Sequence, residues 1–404
     1  MNSSAGNGVK GELAIPPSPK GILASLLSGP TVPALAARLG ARVAAWWGDP
    51  IRFGSTVVVA RHANVMDVLC RDLDFLIAPV NEKRIVEVNG PFVLGMDRSV
   101  ALVDERDALY QSLAEVDFSS IRSAVEKEAD KRIADAGEEI DVVDGYARPI
   151  AAHTAIALFG IRGPDERTFM DVARAIFHHV FLNLNGDEAV RQRALKAAAL
   201  MKDWFDDEIK RRRSLNNFGN DMMGALMRME TLDDGAVRRT LGGMLVGSID
   251  TTASSVAKII ATIEKDAALA RDVADDVDDE GRLAGWCLEA LRRWPHNPIL
   301  LRQAGANTSI ANVKVQPGDR IFAWTQAAML DAEVFPDPQH LRPDRPVASY
   351  LHFGGGLHPC AGRAVNAFQI PALVGALVRR GIKSIGTVEW AGPFPAQLSL
   401  RFER

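Results

Sequence analysis

Cysteine is scarce in this sequence, and the few cysteines do not cluster. Cys70, Cys287 and Cys360 are the only three among 404 residues, and wide intervals separate them. An odd number at this spacing excludes a disulfide framework and argues against a zinc site built from cysteines. Each cysteine therefore needs an explanation from its own neighbourhood.

A strong excess of charge is also absent, as is a long apolar run. Lysine and arginine number 47 and aspartate and glutamate number 51, a net charge of -4, which gives no argument for nucleic acid or an anionic membrane as partner. The apolar stretch "ILASLLSGPTVPALAARL" is interrupted by Gly29, Pro30 and Pro33, and no basic segment precedes an apolar core. We expect a cytoplasmic protein with no membrane anchor.

The remaining pattern is mostly helical. Apolar residues at helical spacing dominate from about Asp104 to Asp275, and "TLGGMLVGSIDTTASSVAKIIATIEK" reads as one long core helix. Short strands are predicted within 41–60, around Leu300 and at the C-terminus, while the segment from Pro79 to Val100 reads as a long loop. The sequence predicts a mostly α fold with a minor β part: a flexible tail of residues 1–25, then one large helical domain over 26–404.

The stretch "YLHFGGGLHPCAGRA" places Cys360 among glycines, just before a predicted helix. A thiolate binds iron strongly, glycine lets a backbone approach a flat ligand, and the free N–H groups of a helix N-terminus stabilise the anion. The alternative, purely structural interpretation is a glycine-rich turn with an inert cysteine. Cys70 and Cys287 lie in apolar helical stretches, so both are predicted to be core residues.

The segment "FGGGLHPCAG" resembles the haem-binding loop of the cytochrome P450 family. It matches the pattern Phe-Gly-x-Gly-x-His-x-Cys-x-Gly at every fixed position: Phe353, Gly354, Gly356, His358, Cys360 and Gly362. The resemblance implies the P450 fold over 26–404, haem b as cofactor and Cys360 as the proximal thiolate ligand of its iron. It also implies that Phe353 packs beside the sulfur and that His358 contacts a haem propionate.

Other segments resemble the same family. Glu289 and Arg292 match its Glu-x-x-Arg pair, and Arg345 is assigned as the third member of a buried ion triad, with Arg342 as runner-up. Arg302 stands where the family places an arginine against a propionate. The structural alternatives are a surface ion pair for Glu289 and Arg292 and a surface strand position for Arg302.

The stretch "VGSIDTTAS" resembles the oxygen-binding helix of the family. The resemblance assigns Asp250 and Thr251 to proton delivery, with Ser248 where the family usually has glycine. The alternative is local hydrogen bonding within a helix. Where the family commonly has a histidine and then an arginine, "DERDALYQSL" offers Arg106 and Tyr110 as propionate contacts.

The substrate pocket is assigned to Gly247, Ser248, Pro298, Ile299 and Phe394. The implied function is a haem-thiolate monooxygenase that inserts one oxygen atom from O2 into an apolar or amphipathic small molecule. The chain has no flavin or iron–sulfur motif, so NAD(P)H electrons would arrive through a separate reductase and a ferredoxin-like protein. Two alternatives stay open: a hydroperoxide isomerase or peroxygenase acting on fatty-acid hydroperoxides without external electrons, and a haem-dependent sensor or carrier.

Overall fold

The computed structural model describes Leu13 and residues 31–162, 164–391 and 394–403. The predicted tail of residues 1–25 lies outside these ranges apart from Leu13, so the boundary at residue 26 stays a prediction. Most of the described chain is helical. The α-helices span Thr31–Trp47, His62–Cys70, Ala78–Asn89, Val100–Ala114, Phe118–Ala136, Arg148–Phe159, Glu166–Phe177, Glu188–Ser214, Met222–Arg228, Asp234–Val246, Asp250–Ile263, Ala267–Asp275, Glu280–Arg293, Thr325–Ala328 and Arg363–Arg380.

Short strands make up the minor β part. They are β1 Ile51–Phe53, β2 Thr56–Val59, β3 Phe75–Leu76, β4 Glu139–Asp141, β5 Leu300–Ala304, β6 Thr308–Ile310, β7 Val313–Val315, β8 Arg320–Ala323, β9 Ile382–Ile385, β10 Glu389–Ala391, β11 Phe394–Gln397 and β12 Ser399–Phe402. The largest sheet has the order β1-β2-β8-β5-β3, with β2 parallel to β8 and the other pairs antiparallel. Short 3-10 helices lie at Val93–Gly95 and Val347–Ser349, and π-helices at Val142–Ala147 and His178–Leu182.

The chain divides into two compact units. One contains residues 81–129 and 145–253 and is helical, with apolar side chains such as Phe169, Phe205 and Leu241 fully buried. The other contains the described residues of 31–80, 130–144 and 254–403, and it holds the four sheets of the described chain. Its apolar core includes Phe75, Ile321 and Phe335.

Three sequence predictions about local structure are wrong. The segment after Ile77 is the helix Ala78–Asn89 rather than a loop. Pro79 occupies its first turn, where a missing N–H costs nothing. The long core helix is interrupted between Val246 and Asp250, where a Gly-Ser pair lowers helix propensity. Cys70 is exposed at a helix end, whereas Cys287 is buried as expected.

Gly285 tests how closely the helix Glu280–Arg293 packs. A Cβ there would overlap the Pro343 carbonyl oxygen and come within 2.8 Å of the carbonyl carbon. Gly285→Ala should therefore lower the free energy of unfolding by about 1–3 kcal/mol. Gly281→Ala, on the same helix, would meet only Asp279 at 3.4 Å and should raise it by up to about 1 kcal/mol. Urea unfolding of both variants measures this; equal effects would contradict the packing.

Candidate functional site

The segment around Cys360 is a closed loop that leads into a helix. The Cys360 N–H donates to the Phe353 carbonyl oxygen at 2.8 Å, and the Arg363 N–H donates to the Cys360 carbonyl oxygen at 3.2 Å. The helix Arg363–Arg380 begins three residues after the cysteine. The thiol therefore lies at the positive end of a long helix dipole.

The surroundings of the Cys360 thiol act in two directions. Desolvation by protein atoms raises its pKa, while the backbone N–H groups of Gly362 and Arg363 and the Arg363 charge lower it. The residue as a whole is nevertheless exposed. An exposed cysteine whose sulfur is contacted by backbone N–H donors suits a thiolate bound to a metal.

Two glycines give this loop its shape. Gly354 and Gly356 have φ of 71° and 64°, a region that strains other residues. A Cβ on Gly356 would overlap the Leu69 carbonyl oxygen, because the loop packs against the helix His62–Cys70. The need for glycine at 356 thus arises from protein packing, whereas the sequence attributed it to a flat ligand.

His352 was missed by the sequence analysis. Its ring lies 4.7 Å from that of Phe353 and 5.4 Å from that of Tyr350. Burial and the charges of Arg363 and Arg292 lower the pKa of His352 to about 3, so the imidazole is neutral. Among the described residues, neither ring nitrogen has a hydrogen-bond partner.

A buried carboxylate, that of Glu289, lies at the centre of a polar cluster beneath this loop. Arg292 donates to both of its oxygens, at 2.7 and 2.8 Å, and Arg345 Nε donates at 3.3 Å. The Tyr350 hydroxyl donates at 2.8 Å, and burial beside this carboxylate raises the tyrosine pKa. The structure thus brings together the three residues assigned to the triad and adds Tyr350.

Arg345 and Arg342 differ sharply in environment. Arg345 is buried and also donates to the carbonyl oxygens of Pro336, Asp337 and His340. Arg342 is exposed, and its guanidinium pairs with Asp344 at 3.0 Å; only its backbone N–H reaches Glu289. The side-chain role in the cluster therefore falls to Arg345.

The residues predicted to contact the haem propionates lie in different parts of the structure. Arg302 is buried on β5, where its Nη1 donates to the Leu301 carbonyl oxygen at 2.8 Å. His358 lies partly buried within the cysteine loop. In the other unit, the Arg106 guanidinium lies over the Tyr110 ring at 5.4 Å, and its buried Nε has no hydrogen-bond partner in the described chain.

The residues assigned to proton delivery follow the helix interruption. Asp250 is buried, and its Oδ1 pairs with Arg174 at 2.7 Å and Arg148 at 3.2 Å. The Thr251 hydroxyl donates to the Gly247 carbonyl oxygen, and the Ser248 hydroxyl donates to that of Leu245 at 2.8 Å. The sequence did not anticipate either arginine, because both lie far away along the chain.

Comparison with known proteins agrees with the cysteine loop. The family model described as Cytochrome P450 matches residues 283–380. Erythromycin C-12 hydroxylase of Saccharopolyspora erythraea is 25% identical over 313 residues, 75% of this chain and 76% of that protein. Nocardicin C N-oxygenase of Nocardia uniformis subsp. tsuyamanensis is 25% identical over 256 residues, 62% of this chain and 61% of that protein.

Solved structures extend the likeness over most of the chain. The crystal structure of CalO2 has a TM-score of 0.78 at 19% identity and covers 92% of this chain and 96% of its own. That of CYP109E1 from Bacillus megaterium with corticosterone has a TM-score of 0.77 at 18% identity, covering 92% and 99%. The family model, the curated relatives and the solved structures together support a bacterial-type cytochrome P450.

The comparisons confirm the predicted family, the mostly helical fold and the enzyme class, a cytochrome P450 monooxygenase. Several curated relatives are aligned over only about 60% of their length, such as 61% of the nocardicin enzyme. The family implies haem, a small-molecule substrate and redox partners. None of the described helices is both long and apolar enough to cross a membrane.

This P450 also buries a lysine that the sequence analysis missed. Lys258 is 3% exposed on the helix Asp250–Ile263, and its Nζ lies 3.3 Å from His296 Nδ1. Burial lowers the pKa of Lys258 to about 7. It also lowers the pKa of His296, and the nearby Lys258 and His352 add to that effect. Among the described residues, no carboxylate pairs with either group.

The two arginines beside Glu289 give a matched pair of variants. Arg345→Leu leaves a buried carboxylate without one partner, so the free energy of unfolding should fall by about 3–5 kcal/mol. Arg342→Leu removes an exposed ion pair and should change it by less than about 1 kcal/mol. Urea unfolding of the haem-loaded proteins decides this. A larger loss for Arg342→Leu would contradict the assignment.

Lys258 should make folding stability depend on pH. The unfolded chain keeps this proton up to the ordinary pKa of 10.5, whereas the folded protein loses it above about 7. Wild-type stability should therefore rise with pH across that window by up to about 1.4 kcal/mol per unit relative to Lys258→Met. Denaturant unfolding between those limits measures the difference. Lys314→Met, at an exposed lysine, is the control; a pH-independent difference for Lys258→Met would refute the prediction.

Proposed function

We propose that this protein is a haem-thiolate monooxygenase that inserts one atom of O2 into an apolar or amphipathic small molecule. NAD(P)H would supply electrons through a separate reductase and a ferredoxin-like protein, and the cofactor would be haem b. The observation that carries the proposal is the loop that presents Cys360 at the start of a long helix. The cytoplasmic location stays a prediction.

Cys360 would bind the haem iron through its thiolate. Three features support this role: the exposed position of the residue, the N–H groups of Gly362 and Arg363 near the sulfur, and the helix dipole. When bound, a haem with a thiolate ligand supplies the centre at which O2 is activated by electrons. Tyr350, which bonds to Glu289, lies two residues before His352, and Phe353 follows His352 directly. The Glu289 cluster would therefore hold the start of the cysteine loop in place.

Basic side chains would neutralise the two carboxylates of the haem. Arg302 and His358 are the candidates near the cysteine loop, and Arg106 with Tyr110 is the candidate in the other unit. Within the described chain the buried Nε of Arg106 has no acceptor, and a buried donor without an acceptor is costly, which supports a haem carboxylate as its partner.

Asp250 and Thr251 would supply protons to the reacting oxygen. Arg174 and Arg148 pair with Asp250 Oδ1 and would hold this carboxylate in position for proton transfer. Thr251 would donate from its hydroxyl once the bond to the Gly247 carbonyl oxygen opens. Gly247 and Ser248 at the interruption, with Pro298, Ile299 and Phe394, would line the substrate pocket.

Isotope labelling tests the reaction directly. Haem-loaded protein, a panel of apolar substrates, NADH, a reductase and a ferredoxin are combined under 18O2. A product that gains one 18O atom is the expected result. Conversion of a polyunsaturated fatty-acid hydroperoxide without any reductant, and no 18O incorporation from O2, would favour the isomerase instead. The relatives' names, which include hydroxylases and oxygenases, support the monooxygenase.

Thr251 and its neighbour provide a matched test of proton delivery. Thr251→Ala should lower the product formed per NADH by at least about tenfold, because a positioned proton donor accelerates transfer by large factors. Thr252→Ala should leave this ratio near the wild-type value, because Thr252 is buried at 1% exposed with its hydroxyl bonded to the Ser248 carbonyl oxygen, whereas Thr251 is partly exposed. Product and NADH are measured together. Unchanged coupling in Thr251→Ala would remove it from the proton path.

A further inference from the structure

A hydrogen-bonded group of side chains centred on His296 connects two segments assigned to the substrate pocket. His296 precedes the turn that contains Pro298 and Ile299, and it contacts three side chains of one helix. Its Nε2 lies 2.7 Å from Ser255 Oγ, and its Nδ1 lies 3.3 Å from both Ser254 Oγ and Lys258 Nζ. All three partners on the helix are at most 4% exposed, so water does not compete for these contacts.

The lysine determines how the imidazole is oriented. In its protonated form Lys258 can only donate, so His296 Nδ1 then accepts from it. The proton of the neutral imidazole then lies on Nε2 and is donated to Ser255 Oγ. The imidazole thus has a defined partner on each side, and the backbone at residue 296 is fixed against the helix.

The same lysine and histidine contact Phe394. The His296 and Phe394 rings are stacked, with centroids 5.6 Å apart and planes within 7° of each other. Lys258 Nζ lies over the Phe394 ring at 5.5 Å, a distance at which a cation attracts an aromatic face. Phe394 begins β11, so this contact fixes the end of that strand as well.

The turn after His296 is bound on its other side through its own carbonyl oxygens, which accept hydrogen bonds from Thr325 and Gln326. Thr325 Oγ1 donates to the carbonyl oxygens of Asn297 and Pro298, both at 3.0 Å. The Gln326 N–H donates to Pro298 at 3.1 Å. The turn therefore has two attachments, and His296 is the one that leads to the helix.

We propose that Lys258, acting through His296 and Phe394, is a positioning residue of the substrate pocket that determines the fit of bulky apolar ligands. Lys258 sets the distance between the turn 297–300 and the Phe394 ring. It touches neither iron nor substrate. The proposal rests on the proposed function, since that function assigns Pro298, Ile299 and Phe394 to the pocket.

Two azole ligands distinguish the contribution of the pocket walls to binding from that of the iron. Imidazole needs only the iron, whereas 4-phenylimidazole also needs room and contact for its phenyl ring. Dissociation constants of both are measured from the Soret shift of haem-loaded wild type and Lys258→Met. The expected result is about tenfold weaker binding of 4-phenylimidazole with imidazole within about twofold, because an aromatic contact and a cation–π contact are disturbed.

Lys265→Met is the matched control, because Lys265 also lies over an aromatic ring, that of Trp294, at 4.5 Å. It should change neither constant. A ratio of the two constants that is unchanged in Lys258→Met would overturn the proposal. An imidazole that produces no Soret shift in wild type would overturn the proposed function itself, and this proposal with it.

A second pair of variants tests the proposal if the Lys258→Met protein does not fold. Ser255→Ala removes the 2.7 Å contact to His296 without altering a buried charge, and it should weaken 4-phenylimidazole selectively. Phe394→Leu combined with Ser255→Ala should then be no weaker than Phe394→Leu alone, because both act on one ring. Additive losses would contradict transmission through Phe394.

Discussion

The bonds to the buried carboxylate of Glu289 are the interaction on which the cysteine loop depends. A buried charge is tolerated only when its oxygens are fully hydrogen-bonded. Here two guanidiniums, a tyrosine hydroxyl and a backbone N–H provide those bonds. Because Tyr350 lies at the start of the loop, satisfying Glu289 also fixes the chain that leads to Cys360.

The loop has further attachments of different kinds. The Leu351 N–H donates to the sulfur of Met329, and Gly356 lies against the backbone of Leu69. The bond from the Cys360 N–H to the Phe353 carbonyl oxygen closes the loop on itself. A sulfur on a loop fixed in this way keeps one position when a metal binds, which is what a preorganised ligand requires.

The sequence predicted best where chemistry depends on short spacings. Two local patterns are visible in the sequence itself. One is the set of glycines around Cys360, two of which have positive φ, and the other is a glutamate three residues before Arg292 on one helix face. Pairs such as Asp250 with Arg174, or Lys258 with His296 and Phe394, depend on how distant elements meet, and no local pattern encodes that. The interruption before Asp250 was missed because apolar residues continue through it at helical spacing, while Pro79 misled because proline also suits a first helical turn.

The buried clusters around Glu289 and Lys258 differ in how the central charge is compensated. Glu289 has a full set of donors, so its charge is compensated. Lys258 has a histidine, two serines and an aromatic ring nearby but no carboxylate partner among the residues that the structure describes, and burial lowers its pKa to about 7. The first arrangement suits a fixed support for a cofactor loop, and the second suits a group whose contacts position neighbouring segments.

X-ray absorption at the iron edge would test whether Cys360 binds the haem iron. We expect an iron–sulfur bond in haem-loaded wild type and in Cys70→Ser, which alters an exposed thiol. The bond should be absent from Cys360→Ser. An iron–sulfur bond that persists in Cys360→Ser, or is missing from the wild type, would rule out Cys360 as the ligand.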